Sequence, residues 1–236
     1  MKKFRQTLLS VITYKSFWNC YDHPGFLIVM NLLFLGFAMT LVGIPVAVIG
    51  LNFIAAKIVG YQDFELKDFW QSFRVFGKRG TILVLMFILI VFLLLSNLIF
   101  YFLFVQSVSF AEISGFLVAG MFGLMLWLAA LFLVFTFYVF PVLIQLNLSV
   151  QATLKNSFFL MLDNLKVSFF LLFIFWFWLL FGIATGVILL LLSFSVSSVF
   201  MHTAVREVLA RYREEPWDQS EEVRGWKDIV TPWQHS

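Results

Sequence analysis

The chain of 236 residues is 62% hydrophobic and only 12% charged, with a mean hydropathy of +0.97 and a formal net charge of +3. A soluble domain typically carries about 45–50% apolar and about 25% charged residues, so composition excludes that class and points to an all-α, polytopic membrane protein. Collagen-like, disordered and disulfide-framework classes are excluded as well, because there are 13 glycines, 5 prolines and one cysteine, Cys20.

Residues 1–24 read as an N-terminal interfacial segment. Phe4, Leu8, Val11 and Ile12 lie opposite Lys2, Lys3 and Gln6 at helical spacing, and the apolar run is too short, and too soon interrupted by Lys15, for a signal peptide. Four charge-free stretches follow, Pro24 to Ala56, Thr81 to Ala111, Ile113 to Leu154 and Val167 to Val205, of 33, 31, 42 and 39 residues. One crossing of a bilayer core about 30 Å thick uses roughly 20 helical residues, so several of these stretches must fold back. The first is expected to break at Gly43 and Pro45, since proline removes a helical donor and clashes with the preceding turn. Its arms are Phe26 to Val42 and Val46 to Val59, the second short enough to be re-entrant. The fourth is punctuated by Gly182 and Gly186 and reads as either a tight hairpin or one very long tilted helix.

Basic residues set the expected topology. All 16 fall on one side if the first and fourth stretches are both hairpins. Short cytoplasmic loops are enriched in Lys and Arg, so the sequence predicts a bundle of about six membrane segments over residues 25–215, both termini cytoplasmic and Gln106 to Glu112 outside. Two amphipathic cytoplasmic helices are expected near 63–79 and 149–164. In the first, Leu66, Phe69, Phe73 and Phe76 oppose Lys67, Gln71, Arg74 and Lys78, with Asp63 as N-cap and Gly80 as stop. The second places Val150, Leu154, Phe158 and Met161 on one side.

In this region the chain resembles a family. Asn31-Leu32-Leu33-Phe34, Gly43-Ile44-Pro45 with Gly50-Leu51-Asn52-Phe53-Ile54-Ala55-Ala56, and Lys67-Asp68-Phe69-Trp70-Gln71-Ser72-Phe73 are similar to the uncharacterised bacterial membrane proteins typified by YesL. The likeness extends loosely through Tyr138-Val139-Phe140-Pro141 and Leu154-Lys155-Asn156-Ser157-Phe158 and departs after Pro216. It implies a multi-pass protein of the bacterial cytoplasmic (inner) membrane, associated with carbohydrate uptake, with no catalytic residues to carry over.

Reaction chemistry is not visible. His23, His202 and His235 are scattered, no His-Glu-x-x-His or paired-cysteine pattern exists, and Ser193, Ser195, Ser197 and Ser198 beside His202 read as helix-packing polarity. No catalytic residue, metal or cofactor is expected, nor a nucleic-acid partner. No charge is embedded where an ion-coupled transporter would place one. Asn31, Asn52 and Asn97 could contact a polar solute, but interhelical hydrogen bonding is their commoner use. Gln145 and Asn147 could serve carbonyls freed by Pro141. Gly36, Gly43 and Gly50 recur every seven residues and Gly115, Ala119 and Gly123 every four, forming smooth stripes for helix packing, with Gly182 and Gly186 in the same role. The polar tail, 216–236, carries Trp217, Trp226 and Trp233, candidate anchors to a partner, to the protein's own cytoplasmic face, or to lipid. Two functions fit: a non-catalytic component or regulator of a membrane assembly linked to solute transport, with a membrane-protein partner or self-association; or a carrier or channel for a neutral or lipid-like solute.

Overall fold

A computed structural model describes residues 7–40, 42–107, 113–186 and 191–213. The described residues are helical with no strand: α1 (Leu8–Asp22), α2 (Pro24–Ala38), α3 (Ile44–Val59), α4 (Leu66–Ser107), α5 (Ile113–Leu146), α6 (Val150–Asp163), α7 (Leu165–Thr185) and α8 (Ser193–Tyr212). The Trp-rich tail, the residues before Thr7 and most of the 106–112 connector lie outside the described residues.

Local chemistry explains the boundaries. Thr7 caps α1 by accepting the Ser10 N–H at 3.3 Å. Pro24 restarts the chain as α2, whose first turn needs no proline N–H, and the two axes meet at 89°. After α2 the turn closes on Thr40, whose Oγ1 donates to the Phe37 carbonyl at 3.0 Å and accepts the Gly43 N–H at 3.1 Å. A Cβ on Gly43 would lie 2.2 Å from that carbonyl oxygen, so the close approach requires glycine. Pro45 then sits in the first turn of α3.

Helix α4 departs from the expected pattern. It runs 42 residues without stopping at Gly80, about 63 Å long, so the first amphipathic segment and the following apolar segment are one helix. Gly80 is a contact point instead: an added Cβ would stand 2.5 Å from Ile49 Cδ1 on α3. Nor is Asp63 the cap. Asp68 reaches back to accept the Glu65 N–H at 2.8 Å, the return half of a capping box, while pairing with Lys57 Nζ at 2.8 Å. Phe69 and Phe76 are buried and Leu66 and Phe73 exposed, so only half of the expected apolar face is packed. In α6, capped by Ser149, the buried line is Thr153, Ser157, Leu160 and Met161, of which only Met161 belongs to the expected stripe.

Helix α3 is the hub. On one side Leu51, Ile54, Ala55 and Ile58 join a core with α1, α2, α5, α7 and α8; on the other, Ile49 joins Phe76, Leu83, Phe87, Val139 and Leu143 of α4 and α5. Its 16 residues span about 24 Å, and its apolar character on all sides suits a helix enclosed by others.

Among the described residues, three helices are long and apolar enough to cross a membrane: Leu66–Phe104, Gly115–Leu146 and Leu165–Thr185, or four with the bent α1–α2 pair counted as one span. Their most apolar windows are only 17%, 6% and 22% buried within the protein. Phe92, Phe100, Phe116, Trp127, Phe169 and Phe173 are among the side chains facing outward. Apolar exposure on this scale has no place in water, and the protein is membrane-embedded.

Candidate functional site

Two connected features follow α8, a buried polar seam along its length and a basic cleft at its C-terminal end. Ser193, Ser195, Ser197, Ser198, His202 and Thr203 are all buried. Some of these groups bond within the helix: Ser197 Oγ donates to the Ser193 carbonyl at 2.7 Å and Thr203 Oγ1 to that of Val199 at 2.9 Å. The rest reach neighbours. Ser193 Oγ donates to the Trp178 carbonyl of α7 at 3.2 Å.

The first residues of α8 lack intrahelical partners for their N–H groups, and Leu192 before them offers no polar side chain. Asn31 of α2 supplies the missing acceptor: its Oδ1 receives the N–H of Phe194 at 2.9 Å and of Ser195 at 3.1 Å. It is an N-cap contributed by another helix, 163 residues away in sequence.

Farther along α8, Asn52 of α3 donates its Nδ2 to the Val48 carbonyl at 2.8 Å. Its Oδ1 accepts from Ser198 Oγ at 3.3 Å and lies 3.2 Å from His202 Nε2. On the opposite edge of the ring, Gln145 Nε2 of α5 is 3.3 Å from His202 Nδ1 and 2.9 Å from the His202 carbonyl. One assignment satisfies every group: a neutral imidazole protonated at Nε2, donating to Asn52 and accepting at Nδ1 from Gln145, whose second hydrogen meets the carbonyl. Gln145 therefore serves His202, not carbonyls freed by Pro141. Asn147 in turn, at φ 50°, is fixed by Arg79, which donates to its Oδ1 at 2.7 Å and to the Leu148 carbonyl at 2.9 Å.

The cleft, about 570 Å³, opens where α1, α3, α5 and α8 meet. Its charged lining is Lys15, Lys57, Arg206, Arg211 and Arg213 against Glu207, and Phe53, Ile144 and Leu209 form apolar wall. Lys15 Nζ pairs with Glu207 at 2.9 Å, tying α1 to α8. Arg206 donates through Nη1 to the carbonyl of Val59, the last residue of α3, and its guanidinium lies 5.5 Å from the Tyr61 ring centre. A cation at a helix C-terminus both bonds an orphan carbonyl and opposes the dipole.

Of the asparagines singled out in the sequence, the structure brings Asn31 and Asn52 to α8 but places Asn97 apart, exposed on the C-terminal half of α4 with its Nδ2 on the Leu93 carbonyl at 2.8 Å. The small residues divide similarly. A Cβ on Gly50 would stand 2.5 Å from the Phe69 ring, whereas one on Gly36 or Gly123 would have no neighbour within 4 Å. Gly115 and Gly182 are buried, Ala119 is half-buried, and Gly186 ends α7 at φ 63°, a left-handed position. Trp217, Trp226 and Trp233 lie outside the described residues. Sequence reasoning missed the convergence of basic residues from α1, α3 and α8 on one cleft; the available signal was that each of these helices carries a cation at or beyond its midpoint. Among the described residues no group of three or more His, Cys, Asp or Glu side chains is placed to hold a metal ion. No family model, curated protein or solved structure matches the chain.

Proposed function

We propose that the protein is a non-catalytic integral component or regulator of a membrane assembly linked to solute transport, with carbohydrate uptake the process implied by its resemblance to the YesL-like proteins. The observation that supports this most directly is the engagement of Asn31 and Asn52 with α8. A carrier needs polar groups turned toward the path of its solute; here the acceptors of both amides bind the protein's own helix. What the bundle turns outward along α4, α5 and α7 is apolar and aromatic, a surface suited to lipid tails and to helices of another membrane protein or a second copy.

The same reading has six membrane segments, α2, α3, α4, α5, α7 and α8, in a bacterial cytoplasmic membrane. Helices α3 and α8, too short or too polar to cross alone, are shielded by the others. Both termini face the cytoplasm. In support, Lys15, Lys57, Arg206, Arg211 and Arg213 meet at one cleft with Gln145, and Arg79 joins that end through Asn147, as segregation of basic residues to one side requires.

Purification from native membranes in a mild detergent tests the proposal: a stoichiometric membrane-protein partner is expected, with no solute flux from the purified chain in liposomes. Saturable flux by the chain alone, with no co-purifying partner, would overturn it in favour of a carrier.

A further inference from the structure

We infer that the outward face of α6 docks on the bilayer surface, with its apolar side chains in the boundary between headgroups and acyl chains and its lysine, together with Lys166 at the start of α7, at the level of anionic lipid phosphates. The inference rests on the protein being membrane-embedded, and not on the assembly proposed for the outward faces of α4, α5 and α7.

Four observations carry the inference. The first is that α6 is turned inside out. Gln151, Lys155, Phe158, Phe159 and Leu162 fall within a sector of about 100° at helical spacing, and all are exposed. On the far side the hydroxyls of Thr153 and Ser157 are buried. In water the opposite rotation costs less, because it covers two phenylalanines and a leucine and returns two hydroxyls to solvent. The second is how the ends are held. Helix α6 begins beside Arg79, which donates to the carbonyls of Asn147 and Leu148 at 3.1 and 2.9 Å. It ends beside Tyr212, whose hydroxyl accepts from Asn164 Nδ2 at 3.2 Å and donates to Asp163 at 3.3 Å. Its 14 residues span about 21 Å, too short to cross a core about 30 Å thick. A short helix with polar groups at both ends and an apolar outward face between them suits a path along a membrane surface rather than into it. The third is continuity. Past the break at Asn164, the exposed apolar line continues through Leu165, Phe169 and Phe173 of α7, a helix long and apolar enough to cross. The fourth is charge. Lys155 lies in the middle of the outward face of α6, and Lys166 is on the stripe of α7 that carries Phe169 and Phe173; both are exposed. A lysine stem covers apolar surface while its ammonium reaches the phosphates of an anionic leaflet.

Nitroxide labels on single cysteines test this in the full-length protein with Cys20→Ser, reconstituted in vesicles of phosphatidylcholine and phosphatidylglycerol. Power saturation reads two collision partners, oxygen for the acyl region and a water-soluble nickel chelate for solvent. Labels at Phe159→Cys and Leu162→Cys are expected to be at least about threefold more accessible to oxygen than to the chelate, and a label at Asn156→Cys, exposed on the flank of the helix, to show the reverse. Each position is read on its own, so a variant that fails to fold leaves the other to decide. Chelate above oxygen at Phe159 and Leu162 would put the face in water, and low accessibility to both would mean that a second copy or a partner protein covers it; either result overturns the inference. Oxygen above chelate at Asn156 as well would place the whole helix inside the acyl region and overturn docking at the surface. Adding Lys155→Glu and Lys166→Glu should raise chelate accessibility at Leu162 at least about twofold in these vesicles, and should leave it unchanged in phosphatidylcholine alone. No difference between the two lipid compositions would overturn the contact with anionic headgroups.

Discussion

Asn31→Leu isolates the most unusual bond in the bundle. Leucine keeps the branched shape and heavy-atom count but leaves the N–H groups of Phe194 and Ser195 without their acceptor. Loss of an N-cap costs about 1 kcal/mol where water can replace it. Here Ser195 is 1% exposed, so water cannot, and each buried unsatisfied donor costs about 1–3 kcal/mol. Allowing some relaxation at half-buried Phe194, the expected loss is about 2–4 kcal/mol, or about thirtyfold to several-hundredfold in the folding equilibrium. Reversible unfolding in mixed micelles of nonionic detergent and dodecyl sulfate, followed by tryptophan fluorescence, gives the difference directly. Trp178 is well placed to report, because its carbonyl accepts from Ser193 at the same end of α8. Asn97→Leu is the matched control. It loses only a bond within an exposed turn of α4, and should change stability by less than about 0.5 kcal/mol. Asn31→Asp retains the acceptor oxygens beside a helix N-terminus and should recover part of the loss. If Asn31→Leu and Asn97→Leu unfold alike, the cap between helices does not carry the energy assigned to it.

Three further outcomes follow from the packing. Gly80→Leu should destabilise by about 1–3 kcal/mol through overpacking against Ile49, and Ile49→Ala in the same chain should recover much of it; no recovery would mean that α3 and α4 do not meet there. Glu207→Gln removes the charge partner of Lys15, whose side chain is 15% exposed against 8% for Glu207, and should cost about 1–3 kcal/mol by thermal unfolding, with the exchanged pair Lys15→Glu and Glu207→Lys more stable than either single change. In a Cys20→Ser background, cysteine at Glu112 should react with an impermeant thiol reagent on intact cells and cysteine at Lys155 should not; the reverse labelling would refute cytoplasmic termini.

How much of this was legible in the sequence depends on the kind of signal. Boundaries set by one residue's own chemistry were readable: Pro45 opens α3 and Ser149 caps α6 because φ restriction and a short hydroxyl act on the adjacent backbone. Signals that depend on a neighbour were misread. Gly80 has the local appearance of a helix stop, but the reason for glycine there is Ile49, thirty-one residues earlier, and with α3 pressed against it the helix gains more by continuing. Asp63 resembled a cap for the same local reasons, yet Lys57 draws Asp68 into the return bond to Glu65. In α6 the hydroxyls Thr153 and Ser157 are buried, in a line beside the apolar stripe of Val150, Leu154 and Phe158 rather than on it.

Helix α8 shows why hydropathy alone does not tell how a polar helix is placed in such a bundle. A transfer scale charges each serine, threonine and histidine as though it faced hydrocarbon, and α8, so rich in them, is not among the helices long and apolar enough to cross. That cost does not arise where the polar groups are already bonded. Ser197 and Thr203 use their own helix, Asn31 takes the first backbone donors, Asn52 and Gln145 hold the two edges of His202, and Arg206 and Glu207 bond α3 and α1 at the far end. Most of the helix is thereby presented to the bundle as satisfied surface. The apolar helices α4, α5 and α7 leave most of their most apolar windows exposed, while α8 is buried along most of its length. Polarity in α8 therefore fixes its position and rotation along its length, from the Asn31 cap at its start to the Glu207 pair with Lys15 near its end.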